Sequence, residues 1–131
     1  ESNFSSISAV NFIFIIFGKF SSNTVADIYS RSKICLNMHV STGHNLNPRT
    51  FEILATQSFE LLDYHDDYLE LLTQGEDIVD FRDIKDLLEK ITYYLKHDEK
   101  REKIARTGYN RVKGTLSMES SLRRILNNYV E

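Results

Sequence analysis

Two apolar runs, FIFIIF at 12–17 and KICLNMHV at 33–40, flank a segment whose apolar residues recur at helical spacing. This strand, helix, strand order constrains the fold more than any other feature of the chain. The first run has the length and the Ile and Phe content of a strand buried on both faces, and Gly18 ends it. Behind Asn23 as a candidate cap, Val25, Ile28 and Tyr29 carry the helix, and the second run reads as another buried strand. The alternation continues. A short helix from Pro48 to about Gln57 precedes the strand FELLDY, a brief helical stretch runs from Tyr68 to Leu72, Gly75 turns the chain, and DIVDF supplies a fourth strand. Strands that alternate with helices through short connections form a parallel sheet covered on both faces. The expected fold is therefore α/β, a Rossmann-like parallel sheet of about four strands flanked by helices.

From Asp83 onward the pattern is helical only. Ile84, Leu87, Leu88, Ile91 and Leu95 form one stripe of period 3.6. Asp98 is placed to cap a helix carrying Ile104, Ala105 and Val112 that Gly114 breaks, and Ser117 to cap another carrying Leu122, Ile125, Leu126 and Tyr129. The charged faces between these stripes read as solvated helix surface.

The chain has 131 residues, 41% hydrophobic and 27% charged, which fits one domain over 1–131 and neither a disordered nor a fibrous chain. Its net charge of -3 gives no general attraction to nucleic acid or to an anionic membrane. The single cysteine, Cys35, lies among the residues of a buried strand and reads as an inert core thiol in a reducing compartment. FIFIIF is far shorter than the ~20 apolar residues that span a bilayer, and no basic stretch or small-residue cleavage site frames it as a signal peptide. No transmembrane segment and a cytoplasmic location are expected. The start at Glu1 rather than methionine suggests a piece of a longer protein.

The candidate site lies in GHNLNPRTFEILATQ, 43–57, directly after the second strand, where an open α/β sheet gathers ligands beyond its carboxyl edge. Asn47 before Pro48 is a strong helix start, since asparagine caps free N–H groups and proline at the first position loses no hydrogen bond. The free N–H groups and positive dipole end favour an anion, and Arg49 adds a bidentate donor for phosphate oxygens. Gly43 allows close backbone approach. Glu52, three residues after Arg49, lies on the same helical face and offers a carboxylate to sugar hydroxyls. These residues leave two readings open: an anion and sugar cradle, or a capped helix whose Arg49 and Glu52 pair on the surface while His44 and Asn45 decorate a turn. The sequence assigns no metal. Asp66 and Asp67 beside His65 are consecutive residues of a loop that do not converge on one ion, His39 reads as packed or hydrogen-bonded, and His97 serves a helix end.

Leu36, Asn37 and His39 at a strand end, followed by Asn47, Arg49, Phe51 and Glu52, an apolar helix, a strand, Gly75 and Glu76, and Leu-rich C-terminal helices, come in an order that resembles a known family. The resemblance covers roughly 25–130 and is to the C-terminal, donor-binding domain of GT-B glycosyltransferases, group 1, in the branch with the spore-maturation-protein-like members. It implies that Glu52 holds the ribose hydroxyls of a nucleotide-sugar donor and that Arg49 and the helix start at Asn47 hold its diphosphate, with Gly43, His44, Asn45 and Thr50 completing the donor site. Where many members carry a glutamate eight positions before the ribose glutamate, this chain has His44, whose neutral imidazole makes one hydrogen bond to a sugar hydroxyl but lacks a carboxylate's acceptor capacity. Where the family often has Ala-Cys-Gly, this chain has Ala55, Thr56 and Gln57, which removes the glycine from the helix exit.

The family's two-domain architecture implies a missing N-terminal acceptor domain, so the chain is expected to be a partial donor domain that is not active alone. No cofactor is expected, the nucleoside diphosphate sugar being the substrate. The departing diphosphate would be stabilised by helix dipoles and Arg49. The resemblance also implies that 1–20 stand in place of the first units of the usual donor-domain sheet, so FIFIIF is expected either to fill a vacant strand position or to join a homodimer through an open sheet edge. A non-catalytic binding or assembly module with the same half-fold is the main alternative. A phosphoacceptor receiver domain ranks last, because the second strand ends in Asn37, Met38 and His39 rather than in an aspartate.

Overall fold

The computed structural model of the chain describes residues 13–14, 22–39 and 47–129. Four parallel strands, β1 (Ile13–Phe14), β2 (Ile34–Asn37), β3 (Glu60–Asp63) and β4 (Val79–Phe81), lie side by side in chain order. Helix α1 (Ser22–Arg31) joins β1 to β2 and α2 (Pro48–Ala55) precedes β3, while a 3-10 turn over Asp66–Glu70 stands between β3 and β4. Helices α3 (Ile84–Lys96), α4 (Asp98–Gly114) and α5 (Met118–Tyr129) complete the chain, so the expected α/β class with a helical C-terminal segment is the observed one.

The described part of FIFIIF takes the first of its two expected places. Ile13 pairs with Ile34 and Phe14 with Cys35, which closes the edge of β2 within the same chain. Strands β2, β3 and β4 are shorter than the runs that mark them, and the reason is chemical at β2. Beyond Asn37 the backbone N–H of His39 donates to the Asp63 carboxylate at 3.0 Å instead of joining the ladder.

Strand alternation divides the core. Ile34, Leu36, Leu61, Val79 and Phe81 face one layer, where Phe59, Leu87, Ile104 and Ala105 meet them and Ile91, Tyr94 and Leu95 pack alongside. On the other face Leu62 joins Leu54, Tyr68, Leu72 and Ile78, while Cys35 joins Tyr29 and Ile53. Cys35 is fully buried, and burial, with the nearby Glu60 charge, pushes its thiol far above the ordinary range, so it is the inert core thiol its neighbours predict.

Helix ends follow the sequence in part. Asp83 caps α3 by accepting from Asp86 N–H at 2.9 Å, and Ser117 accepts from Ser120 N–H at 3.2 Å before α5. Asn23 and Asp98 are not caps. Asn23 lies inside α1, and Asp98 is the first residue of α4, where its carboxylate pairs with Arg101 at 2.8 Å. In α3 the apolar stripe narrows to Leu87, Ile91 and Leu95, leaving Ile84 and Leu88 exposed.

Two backbone positions fix how the layers meet. Gln57 has φ of 55°, the left-handed conformation that the missing glycine would have supplied at the exit of α2. In α4, a Cβ on Gly108 would lie 2.5 Å from the Asp77 carbonyl oxygen and 2.8 Å from Leu54 Cδ2. The helix therefore touches the backbone of the approach to β4 and the Leu54 side chain at the end of α2. That contact closes the amino end of the sheet, and the carboxyl end is left to the site. Among the described residues no helix is long and apolar enough to cross a membrane.

Candidate functional site

Helix α2 starts as the sequence predicts, with Pro48 in its first turn and Asn47 at the cap in extended backbone, φ -73° and ψ 150°. The Asn47 side chain does something else. It makes no capping bond; instead Asn47 Nδ2 donates to Asn37 Oδ1 at 3.0 Å and Asn37 Nδ2 donates back to Asn47 Oδ1 at 3.1 Å. The paired amides fasten the start of α2 to the end of β2. No side chain of the described residues then caps the first N–H groups of α2, which keeps that dipole end available to a ligand.

Beneath this clasp lies a buried polar network. Glu60 Oε1 accepts from Asn37 Nδ2 at 2.8 Å and from the Thr50 hydroxyl at 2.9 Å, and all three side chains are fully buried. Burial pushes the Glu60 carboxyl from 4.5 up to about 7, although the Asn37 and Thr50 hydrogen bonds act the other way. Its Oε2 has no hydrogen-bond partner among the described residues. The Thr50 side chain, which the sequence reading places in the donor site, is buried with its hydroxyl donated to Glu60.

At the carboxyl ends of β2 and β3, His39, Asp63 and His65 come together. His39 Nδ1 lies 2.7 Å from Asp63 Oδ1, and His39 Nε2 accepts the Asn47 N–H at 3.3 Å. Those two bonds require the neutral ring with its proton on Nδ1. His65 Nε2 reaches the other oxygen, Asp63 Oδ2, at 3.1 Å, and the two rings stand 4.3 Å apart, tilted by 59°. His39 is thus the hydrogen-bonded residue that the sequence predicts. His65 turns to Asp63 rather than to Asp66 or Asp67, and Asp66 instead accepts the Tyr64 hydroxyl.

Arg49 is half-buried and Glu52 exposed, and among the described residues they form no ion pair with each other. Both act on the buried Tyr29 hydroxyl of α1. Burial raises that phenol to about 12, Arg49 opposes the rise and Glu52 adds to it. The Tyr29 oxygen has no hydrogen-bond partner among the described residues. The charges of Arg49 and Glu52, in the first turns of α2, thus both reach the Tyr29 phenol of α1. Gly43, His44 and Asn45 lie outside the described residues. A separate cavity of about 450 Å³, lined by Gly75, Glu76, Tyr93, Tyr94, Lys100 and Lys103 among others, opens elsewhere, beside the approach to β4.

The sequence model of the glycosyl transferase-like family matches residues 11–127. The chain belongs to that family. No curated protein matches it. The glycosyltransferase assignment expected from the order of short motifs is thereby found at the level of that family, and the chain carries the partial Rossmann-like sheet that the resemblance implies. Four residues of its carboxyl-edge framework escape the sequence reading as contributors: Asn37, Glu60, Asp63 and His65. Their signal is polarity within or just after apolar strand runs, which marks a buried polar residue without naming its partner.

Proposed function

We propose that this glycosyl transferase-like chain is the donor-binding part of a glycosyltransferase of GT-B architecture, which transfers a sugar from a nucleoside diphosphate to an acceptor. The observation that carries the reading is the start of α2, which no side chain of the described residues caps, with Arg49 and Glu52 in its first turns at the carboxyl edge of the sheet. An N–H dipole end and a guanidinium suit a diphosphate, and a carboxylate one turn further suits the ribose hydroxyls. From the resemblance, contacts with the donor sugar fall to Gly43, His44 and Asn45, and the Asn37, Asn47, Thr50 and Glu60 network fastens the start of α2.

No metal or cofactor is needed for this binding mode. The charge that develops on the departing diphosphate is met by Arg49 and by the helix end. The acceptor and its base come from an N-terminal domain, so the chain binds donor without turning it over, and the compartment is the cytoplasm.

Calorimetric titration with a panel of nucleoside diphosphates tests the proposal. Binding in the micromolar to millimolar range is expected for the matching base. Arg49→Ala should weaken it roughly 10- to 150-fold, as loss of a charged phosphate hydrogen bond does. Glu52→Ala should weaken a nucleoside diphosphate but leave inorganic pyrophosphate unaffected. Absence of binding by every nucleotide would favour the non-catalytic module, a reading that His44 in place of the family's glutamate supports.

A further inference from the structure

We propose that His39, Asp63 and His65 form a binding site for a divalent transition-metal ion of the zinc or cobalt type. Two imidazoles and one carboxylate from the ends of adjacent parallel strands each offer one ligand atom, and these atoms lie within 4.8 Å of one another. Two nitrogens already point at one carboxylate, His39 Nδ1 at 2.7 Å and His65 Nε2 at 3.1 Å. Ligand atoms that each sit about 2.0–2.2 Å from one tetrahedral ion stand about 3.3–3.6 Å apart, so the hydrogen-bonded cluster need open by only a few tenths of an ångström to admit one. The donor set is the borderline nitrogen and oxygen kind that zinc and its neighbours take and that calcium and magnesium do not prefer.

The site is also built rather than incidental. The His39 side chain is only 4% exposed, and its backbone N–H is held by the same Asp63 oxygen at 3.0 Å. The aspartate and His65 are about one quarter exposed, which leaves an entry path from solvent. Three protein ligands leave a further position for water or for an oxygen of a bound molecule, as in sites where a metal does chemistry rather than only staples a fold. The sequence reading sees no metal here because it weighs His65 with Asp66 and Asp67, its chain neighbours. The partners that matter are Asp63 and His39, which the parallel pairing of β2 with β3 brings alongside.

Metal entry has a defined proton balance. In the metal-free rings the nitrogens that face Asp63 donate to it. For the ion to bind a neutral ring, the proton on the nitrogen that faces Asp63 moves to the far nitrogen of that ring, and the lone pair so freed goes to the ion. For His39 the far nitrogen is Nε2, which now accepts the Asn47 N–H at 3.3 Å. With a proton there, that long contact opens. Metal occupancy is thus read out at the first turn of α2, independently of whether a nucleotide binds.

The test is titration of the full 131-residue chain with Co²⁺ and Zn²⁺. Co²⁺ should give one equivalent of visible d–d absorption, Zn²⁺ should displace it, and calorimetry should give matching stoichiometry. Amide NMR should show the Asn47 resonance moving with saturation. His65→Gln and His39→Gln should each weaken binding by about tenfold or more, with circular dichroism confirming that each variant is folded. His97→Gln, which lies outside the cluster, should bind as the parent does. The proposal is overturned if Co²⁺ gives no d–d band at millimolar concentration. It is overturned equally if His65→Gln, folded, binds as the parent does, or if His97→Gln removes the signal.

Discussion

Replacing Glu60 with glutamine should remove a specific pH dependence from the stability of the protein. In the folded chain burial pushes this carboxyl from 4.5 up to about 7, against the pull of its hydrogen bonds from Asn37 and Thr50. Between those two values the folded state holds a proton that the unfolded chain has released. Stability from this group is therefore complete below about pH 4.5, falls as pH rises, and is lost above about pH 7. A gap of about 2.5 units at 1.36 kcal/mol each makes the loss about 3 kcal/mol. Glutamine keeps the oxygen that accepts from Asn37 and Thr50. Its amide NH₂ replaces Oε2, which has no partner among the described residues, at a constant cost of about 1–3 kcal/mol. Urea denaturation followed by far-ultraviolet circular dichroism at about pH 5 and about pH 8 should show the Glu60→Gln variant gaining about 2–3 kcal/mol on the parent between the two conditions, since part of the contribution is already lost at pH 5. Two parallel stability curves would refute the reasoning, because Glu60 would then keep an ordinary acidity inside the core.

Three further substitutions probe the frame around the site. Gln57→Gly should raise stability by about 1 kcal/mol, since a side-chain-bearing residue now occupies a left-handed conformation at φ 55°; an unchanged urea midpoint would count against strain there. Gly108→Ala should lower stability by about 1–3 kcal/mol, because its methyl group would meet the Asp77 carbonyl and Leu54; thermal unfolding equal to the parent would mean that α4 does not approach so closely. Asp63→Asn should cost about 1–3 kcal/mol by weakening bonds to His39 and His65, whereas Asp67→Asn should stay within about 0.5 kcal/mol; equal effects in chemical denaturation would deny Asp63 its joining role.

The elements were legible where an apolar pattern has one reading. Ile34 to Leu36 and Leu61 to Leu62 are runs that only a covered sheet can bury, and Pro48 allows a helix to start and not to continue through it. The side-chain roles were less legible, for a geometric reason. Asn47 has the residue type and the position of a cap, yet Asn37 lies opposite it across the end of β2 and takes its amide. Nothing local distinguishes those outcomes. Glu60 reads as one polar residue in a strand, and its burial follows only when α2 is seen to lie over that face with Thr50 turned inward. His39 and Asp63 are 24 residues apart, and their contact depends on the parallel register of β2 and β3. Spacing along the chain carries no trace of it.

The donor-binding account stands or falls on where a nucleoside diphosphate touches the chain. Amide and side-chain NMR mapping during titration should show the largest shifts at Arg49, Thr50 and Glu52 in the first turns of α2 and at Tyr29 beside them, with inorganic pyrophosphate reproducing the Arg49 shift but not the Glu52 one. Shifts concentrated instead around Tyr93, Tyr94, Lys100 and Lys103, the lining of the separate cavity, with α2 unmoved, would contradict it.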